Sequence, residues 1–182
     1  DFLVRSRQLF ADKGLMAVVV DAPSDRQRAP FLNGFRQTEE HAADLKATIA
    51  WARATAKVPV WLVGTSRGTQ SAAYAATVLQ GADAPDGVVL TATILADDKQ
   101  RPVPAMPLEQ IKVPVLVVHH QQDGCSYCAY SEIPNLMAKL PHTPRSHLIT
   151  ATGGKSQGDA CAAFAHHGFN GLEADVVEQM AD

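Results

Sequence analysis

A serine at the centre of Gly64-Thr65-Ser66-Arg67-Gly68 carries the clearest chemical signal in this 182-residue sequence. The pentapeptide fits the pattern G-x-S-x-G, in which a sharp turn between a strand and a helix exposes the serine hydroxyl. Both glycines are expected to let the strand and the helix approach closely, and the serine backbone is expected to be strained. Because a helix N-terminus favours developing negative charge, the Arg67 N–H is a candidate oxyanion donor. The pattern predicts a nucleophilic serine.

A serine hydroxyl is a weak nucleophile at neutral pH, so it needs a histidine to accept its proton and a carboxylate to orient that histidine. Asp123 follows an apolar segment that ends at His119, and His167 lies in a loop near the end of the chain. The order Ser66, Asp123, His167 leaves room for further strand–helix units between the three residues. We therefore predict that Asp123 is the acid and His167 the base.

Other side chains could fill the same roles. Asp97 or Asp98, which follow another apolar segment, could be the acid, and His166 could be the base in place of its neighbour His167. The alternative for Ser66 is a small residue in a tight turn. The remaining histidines that lack a catalytic context are interpreted as surface or packing residues; they are His41, His142 and His147.

Three cysteines are too few for a disulfide scaffold and allow at most one internal bridge. Cys125 closely follows Asp123, and Cys161 shortly precedes His167. Our hypothesis is a Cys125–Cys161 disulfide that joins the two loops and leaves Cys128 free; the alternative is three reduced, buried thiols. A bridge predicts a periplasmic or secreted protein, and its absence a cytoplasmic one.

Two further patterns are too incomplete to predict a metal or a cofactor. Cys125-Ser126-Tyr127-Cys128 fits C-x-x-C, and nearby His119 and His120 could suggest a zinc or redox site, but a second C-x-x-C pair is missing. Gly153-Gly154-Lys155-Ser156 resembles part of a phosphate-binding loop and lacks its upstream portion. No metal and no cofactor are expected.

Apolar segments alternate between strand-like and helix-like spacing along the chain, which predicts one domain over residues 1–182. Helices are predicted over 1–13, 38–57, 67–79, 131–140 and from about 172, and strands over 15–20, 58–63, 87–95, 113–119 and 146–150. The strands read as buried on both faces, which is typical of parallel strands with crossover helices. The expected fold is a three-layer α/β/α sandwich with a mostly parallel sheet, and its ligands should bind at the carboxyl ends of the strands.

These features together resemble the α/β-hydrolase family, particularly its small esterase and dienelactone-hydrolase-like branch. The resemblance covers nearly the whole chain and rests on the Ser66 pentapeptide, on Asp123-Gly124 after its strand, and on His167-Gly168-Phe169, which is similar to the family's His-Gly-Phe box. It implies that Ser66 is the nucleophile, Asp123 the orienting acid and His167 the general base. Dienelactone hydrolases carry cysteine at the nucleophile position, so the serine here implies an ester hydrolase.

The resemblance also implies a missing portion. In the family, a strand that precedes the helix at 1–13 lies between the strands at 15–20 and 58–63, and the loop after it supplies a second oxyanion donor. We therefore expect an α/β-hydrolase fold without its N-terminal strands, a fragment of a longer hydrolase whose second oxyanion donor lies upstream of residue 1.

The charge and the hydrophobic pattern of the sequence exclude several classes of binding partner. The formal net charge is −3, so the chain lacks the basic excess of proteins that bind nucleic acids or anionic membranes. No apolar run reaches the roughly 20 residues of a membrane span. The predicted function is hydrolysis of a small-molecule carboxylic ester through an acyl-enzyme. The alternatives are a thioesterase, amidase or peptidase, or a hydrolase-fold protein that binds ligands without turnover.

Overall fold

A computed structural model describes all 182 residues. Its helices are α1 (Phe2–Asp12), α2 (Glu39–Ala56), α3 (Arg67–Val78), α4 (Ile133–Ala138) and α5 (Glu173–Ala181). Its strands are β1 (Trp61–Thr65), β2 (Gly87–Thr91), β3 (Val115–His120) and β4 (Ser146–Ala151). No helix is both long enough and apolar enough to cross a membrane.

The four strands form one sheet in the order β1-β2-β3-β4, and every neighbouring pair is parallel. Parallel neighbours require a crossover between them, and helices or loops of the chain supply it. All four carboxyl ends therefore lie at the same edge of the sheet. The predicted parallel sheet is confirmed, and the residues that follow β1, β3 and β4 meet at one edge.

Side chains alternate between the two faces of the sheet, and each face is covered. On β2, Val88 and Leu90 pack in a cluster that includes residues of α3 and α4, whereas Val89 packs with residues of α1 and α5. Apolar burial on both faces explains why the central strands are continuous runs of Val and Leu. The predicted three-layer arrangement is confirmed.

Helix ends follow the local signals in the sequence. The Asp1 carboxylate accepts the Leu3 N–H and caps α1, and the Thr38 hydroxyl accepts the His41 N–H and caps α2. Lys57 ends α2 in the left-handed conformation. These caps satisfy backbone groups that a helix leaves unpaired, so the bounds of both helices agree with prediction.

The prediction of a buried strand over 15–20 is wrong. This segment has no regular structure, and residues 16–20 make no hydrogen bond. Val19 is 53% and Val20 52% exposed. A Val-rich sequence suits a buried strand, but a strand forms only against a neighbour, and no strand pairs with this one. The segment and β1 instead line a cleft of about 1470 Å³.

Two other predicted strands differ from the structure. The strand expected over 58–63 begins only at Trp61, and Trp61 and Val63 are exposed because β1 is an edge strand, not a buried one. The strand expected over 87–95 ends at Thr91, because Ala92 has a φ of +44° and turns the chain out of the sheet. Leu95 N–H then donates to the Tyr127 carbonyl, which ties this segment to the loop after β3.

Candidate active site

Ser66 occupies the sharp turn between β1 and α3. Its φ of +50° and ψ of −123° lie in a region that L-residues rarely adopt, and its N–H donates to the Thr91 carbonyl at 3.0 Å. Such backbone strain persists only where the surrounding structure holds it in place, and it is common at active sites. The turn places the half-buried Ser66 side chain at the carboxyl edge of the sheet.

The two glycines of the pentapeptide differ in the space around them. A Cβ on Gly64 would lie 2.4 Å from the Gly68 carbonyl oxygen, so only glycine allows this approach of strand and helix. A Cβ on Gly68 would meet nothing within 4 Å. The expectation that both glycines are needed sterically is therefore right for Gly64 and wrong for Gly68, which borders the open cleft.

This contrast gives a matched pair of variants. Gly64→Ala is expected to lower the free energy of unfolding by about 1–3 kcal/mol, because backbone must move to admit the methyl group. Gly68→Ala, in the first turn of α3, is expected to leave it unchanged or raise it by up to about 1 kcal/mol. Urea denaturation followed by circular dichroism measures both. Equal losses in the two variants would contradict the steric account of Gly64.

The backbone N–H of Arg67 has no hydrogen-bond partner, whereas its side chain is bound by neighbouring residues. The N–H donates to no protein acceptor, so it is available as an oxyanion donor. The guanidinium pairs with the Asp97 carboxylate and lies over the Tyr127 ring at 4.8 Å. Burial alone would raise the pKa of Asp97, but the Lys99 N–H and the Arg67 guanidinium outweigh it and hold that pKa below its usual value. Asp97 thus contacts an arginine and no histidine.

Asp123 and His167 meet through a buried hydrogen bond. His167 Nδ1 donates to Asp123 Oδ2 at 2.9 Å, and Asp123 Oδ1 accepts the Cys125 N–H at 2.9 Å. With its proton on Nδ1, the ring carries a lone pair on Nε2, and this atom is buried without a partner. Ser66 makes no side-chain hydrogen bond in this structure. The structure thus joins the predicted acid and base directly, and does not join the serine to His167 by a hydrogen bond.

Two other histidines, His166 and His119, lie near this pair and contact other groups. His166 stacks on His120 with ring centroids 4.4 Å apart, and its Nδ1 lies 3.3 Å from the Gln122 carbonyl. His119 has no catalytic role in the sequence prediction, yet it is buried with Nε2 2.7 Å from the Cys128 carbonyl and 3.7 Å from Asp123 Oδ2. Burial lowers the pKa of His119, which favours a neutral ring beside the Asp123 carboxylate. Its place four residues before Asp123 was the available signal.

Close packing fixes the loop that carries His167. A Cβ on Gly168 would lie 2.0 Å from the Ala163 carbonyl oxygen, so the chain can pass there only as glycine. Phe169 is fully buried, and its ring centroid lies 4.9 Å from that of Phe2. Glycine and phenylalanine after the histidine therefore anchor the loop to α1.

A disulfide joins Cys125 to Cys161, and Cys128 is a buried free thiol. Burial and the charge of Asp123 raise the pKa of Cys128, which keeps it protonated and unreactive. Cys125, Cys128 and His167 are near enough to one another to hold a metal ion. Because Cys125 is in the disulfide and His167 Nδ1 is bonded to Asp123, this set does not fit a metal.

Several solved structures have a fold similar to that of this chain, at low sequence identity. No protein-family model and no curated protein matches the sequence. A cold-adapted esterase from an Arctic intertidal metagenomic library, solved with polyethylene glycol, has a TM-score of 0.64 at 16% identity over 100% of this chain and 75% of its own. A structure described with two metagenome-derived lipolytic enzymes has a TM-score of 0.57 at 12% identity, over 98% of this chain and 85% of its own.

A third similar structure is an Agrobacterium tumefaciens protein of unknown function for which an α/β-hydrolase assignment has been suggested. Its TM-score is 0.56 at 14% identity, over 100% of this chain and 74% of its own. At these identities the similarity concerns the fold. The chain has the α/β-hydrolase fold, with a sheet of four strands and without some strands of that fold.

Proposed function

We propose that this chain is a serine hydrolase that cleaves carboxylic esters through an acyl-enzyme. The observation that carries the proposal is the buried hydrogen bond between His167 Nδ1 and Asp123 Oδ2, which leaves Nε2 of the same ring free to accept a proton. The strained turn at Ser66 and the free Arg67 N–H lie at the same edge of the sheet. These are the parts that acyl transfer by a serine requires.

Each group has a role in the proposed reaction. Ser66 Oγ attacks the ester carbonyl while His167 Nε2 accepts its proton, and Asp123 stabilises the imidazolium that forms. The Arg67 N–H donates to the oxyanion of the tetrahedral intermediate. As the intermediate collapses, His167 returns the proton to the leaving alcohol. Water then attacks the acyl-enzyme by the same sequence, releasing the acid and restoring Ser66.

The same groups would serve thioesters, amides or peptides, because the mechanism does not fix the leaving group. A second candidate is a ligand-binding protein with this fold and no turnover. The missing hydrogen bond between Ser66 and His167 favours this candidate. The two candidates differ in whether Ser66 is reactive.

Labelling with a fluorophosphonate tests this directly. Mass spectrometry is expected to show one adduct per chain, on the peptide that contains Ser66, since only an activated serine attacks the phosphorus. Ser66→Ala and His167→Ala are expected to remove the adduct. His166→Ala is the matched control and should keep it.

Loss of the adduct in His166→Ala but not in His167→Ala would overturn the assignment of the base. A folded wild-type chain that gains no adduct would contradict the hydrolase and favour the binding protein.

A further inference from the structure

His120, the last residue of β3, is a buried histidine that the proposed mechanism does not use. Its Nδ1 accepts the Gln122 N–H at 2.9 Å, and its Nε2 lies 2.9 Å from the Gly153 carbonyl oxygen. A backbone N–H can only donate a hydrogen bond, and a carbonyl oxygen can only accept one. The two contacts therefore fix one form of the ring, which is neutral and carries its proton on Nε2.

The contact at Nδ1 belongs to the turn that carries the predicted acid. Gln122 directly precedes Asp123, and the Asp123 N–H donates to the His120 carbonyl at 3.1 Å. The side chain and the main chain of His120 thus bind two consecutive N–H groups of this turn. Together they restrict the backbone from which the Asp123 carboxylate reaches His167 Nδ1.

The contact at Nε2 leads to the loop that carries the predicted base. Two residues after Gly153, the Lys155 N–H donates to the Asn170 carbonyl at 2.8 Å. A Cβ on Gly154 would lie 2.6 Å from the same carbonyl oxygen, so the two segments pack closely there. Asn170 lies three residues after His167. One imidazole thus connects the turn of the acid with the segment that supports the loop of the base.

We propose that His120 is a positioning residue of the hydrolase, which holds Asp123 and His167 at hydrogen-bond distance. This proposal rests on the proposed function and deepens it, because it assigns a further residue to the same site. Only the neutral ring can act in this way: a proton on Nδ1 would face the Gln122 N–H, so a protonated His120 must lose that hydrogen bond. Acid is therefore expected to act on the site at His120 as well as at His167.

The charged neighbours of His120 influence when the neutral ring is lost. They are His119 on the same strand, Asp123 after it, and His166 on the loop of the base, whose ring centroid lies 4.4 Å from that of His120; the segment after β4 presents the uncharged Gly153 carbonyl. Burial lowers the pKa of His120, and the charge of His166 adds to this effect. The Gly153 carbonyl and Asp123 act in the opposite direction and are outweighed. The contribution of the neutral ring is therefore present at neutral pH and is lost as the pH falls from 6.5 through the lower pKa of the folded chain.

Three substitutions separate the two hydrogen bonds. Asparagine places a polar atom near the position of Nδ1, so His120→Asn can keep the bond to the Gln122 N–H. Glutamine places one near the position of Nε2, so His120→Gln can keep the bond to the Gly153 carbonyl. His120→Phe keeps a ring and loses both bonds, and it is expected to lower kcat on 4-nitrophenyl acetate about ten- to hundredfold, because misplacing a catalytic pair by about 1 Å has that effect. KM should change little, and His120→Asn and His120→Gln should each retain more activity than His120→Phe.

A pH profile distinguishes positioning from a general loss of stability. Over the acid range in which circular dichroism shows a folded chain, log kcat of the wild type is expected to fall with a slope of about 2, since His167 and His120 both take up a proton, and that of His120→Asn with a slope of about 1. His142→Phe replaces an exposed histidine before β4, at the opposite edge of the sheet, and should change neither kcat nor the slope. If His120→Phe does not fold, His120→Asn and His120→Gln carry the same comparison. Wild-type kcat and an unchanged acid slope in every folded His120 variant would overturn the proposal.

Nuclear magnetic resonance separates failure of this proposal from failure of the hydrolase, because it needs no activity. Nitrogen chemical shifts are expected to show the proton of His120 on Nε2 above neutral pH. The downfield proton signal of the hydrogen bond between His167 and Asp123 is expected to shift or broaden in His120→Phe and to remain unchanged in His142→Phe. If this signal responds to His120 in a chain whose Ser66 is not labelled by a fluorophosphonate, the hydrolase is wrong and the positioning role stands. If Ser66 is labelled and neither the signal nor kcat depends on His120, the positioning role is wrong and the hydrolase stands.

Discussion

Asp123→Asn is expected to lower kcat about 10⁴-fold on a simple ester such as 4-nitrophenyl acetate, with little change in the fold. The asparagine carbonyl can still accept the Cys125 N–H, so the loop keeps that hydrogen bond. Its NH₂ group, however, would face His167 Nδ1 and require that nitrogen to accept. The ring would then carry its proton on Nε2, where Ser66 needs an acceptor. Absorbance at the release of nitrophenolate measures the loss, and circular dichroism checks the fold.

The two alternative acids supply the controls. Asp98 is exposed and makes no hydrogen bond or ion pair, so Asp98→Asn is expected to leave kcat unchanged. Asp97→Asn breaks the pair with Arg67 and is expected to cost far less than Asp123→Asn. A loss of about 10⁴-fold in Asp97→Asn, together with near-normal activity in Asp123→Asn, would show that the buried contact with His167 is structural.

The sequence allowed prediction wherever a feature depends on residues close together in the chain. The turn at Ser66 follows from Gly64, whose missing side chain admits the Gly68 carbonyl, and the helix caps follow from Asp1 and Thr38. The meeting of Asp123 and His167 follows from parallel topology, which brings the carboxyl ends of β3 and β4 to one edge.

Features that depend on distant neighbours could not be predicted. The apolar pattern of residues 15–20 indicates that the segment is suited to burial. The pattern does not show whether another strand is present to pair with the segment, and in the structure its valines are exposed. Likewise, His41 has no catalytic motif around it, so the sequence indicates only a surface or packing residue. Its burial, with both ring nitrogens unpartnered, depends on the tertiary packing of α2 and not on the residues next to it in the chain.

Loss of the Cys125–Cys161 disulfide is expected to reduce both stability and activity. The bridge closes a loop with a sequence separation of 36, for which the entropy of the unfolded chain predicts about 3–4 kcal/mol. It also joins the Asp123 loop, through the Cys125 N–H bonded to Oδ1, to an irregular segment that leads to His167. Cys161→Ser is therefore expected to lower kcat about ten- to hundredfold, because misplacing a catalytic pair by about 1 Å has that effect.

Cys128→Ala is the matched control, because it removes a cysteine from the same loop and leaves the bridge intact; kcat should remain near the wild-type value. The exposed Cys161 should let dithiothreitol reproduce the effect of Cys161→Ser in the wild-type protein. A thiol titration links the effect to the bridge: the denatured chain should show one thiol without reductant and three with it. Three thiols before reduction would contradict the bridge, and with it the prediction of an oxidising compartment. An unchanged kcat after complete reduction would mean that packing of Gly168 and Phe169 alone positions His167.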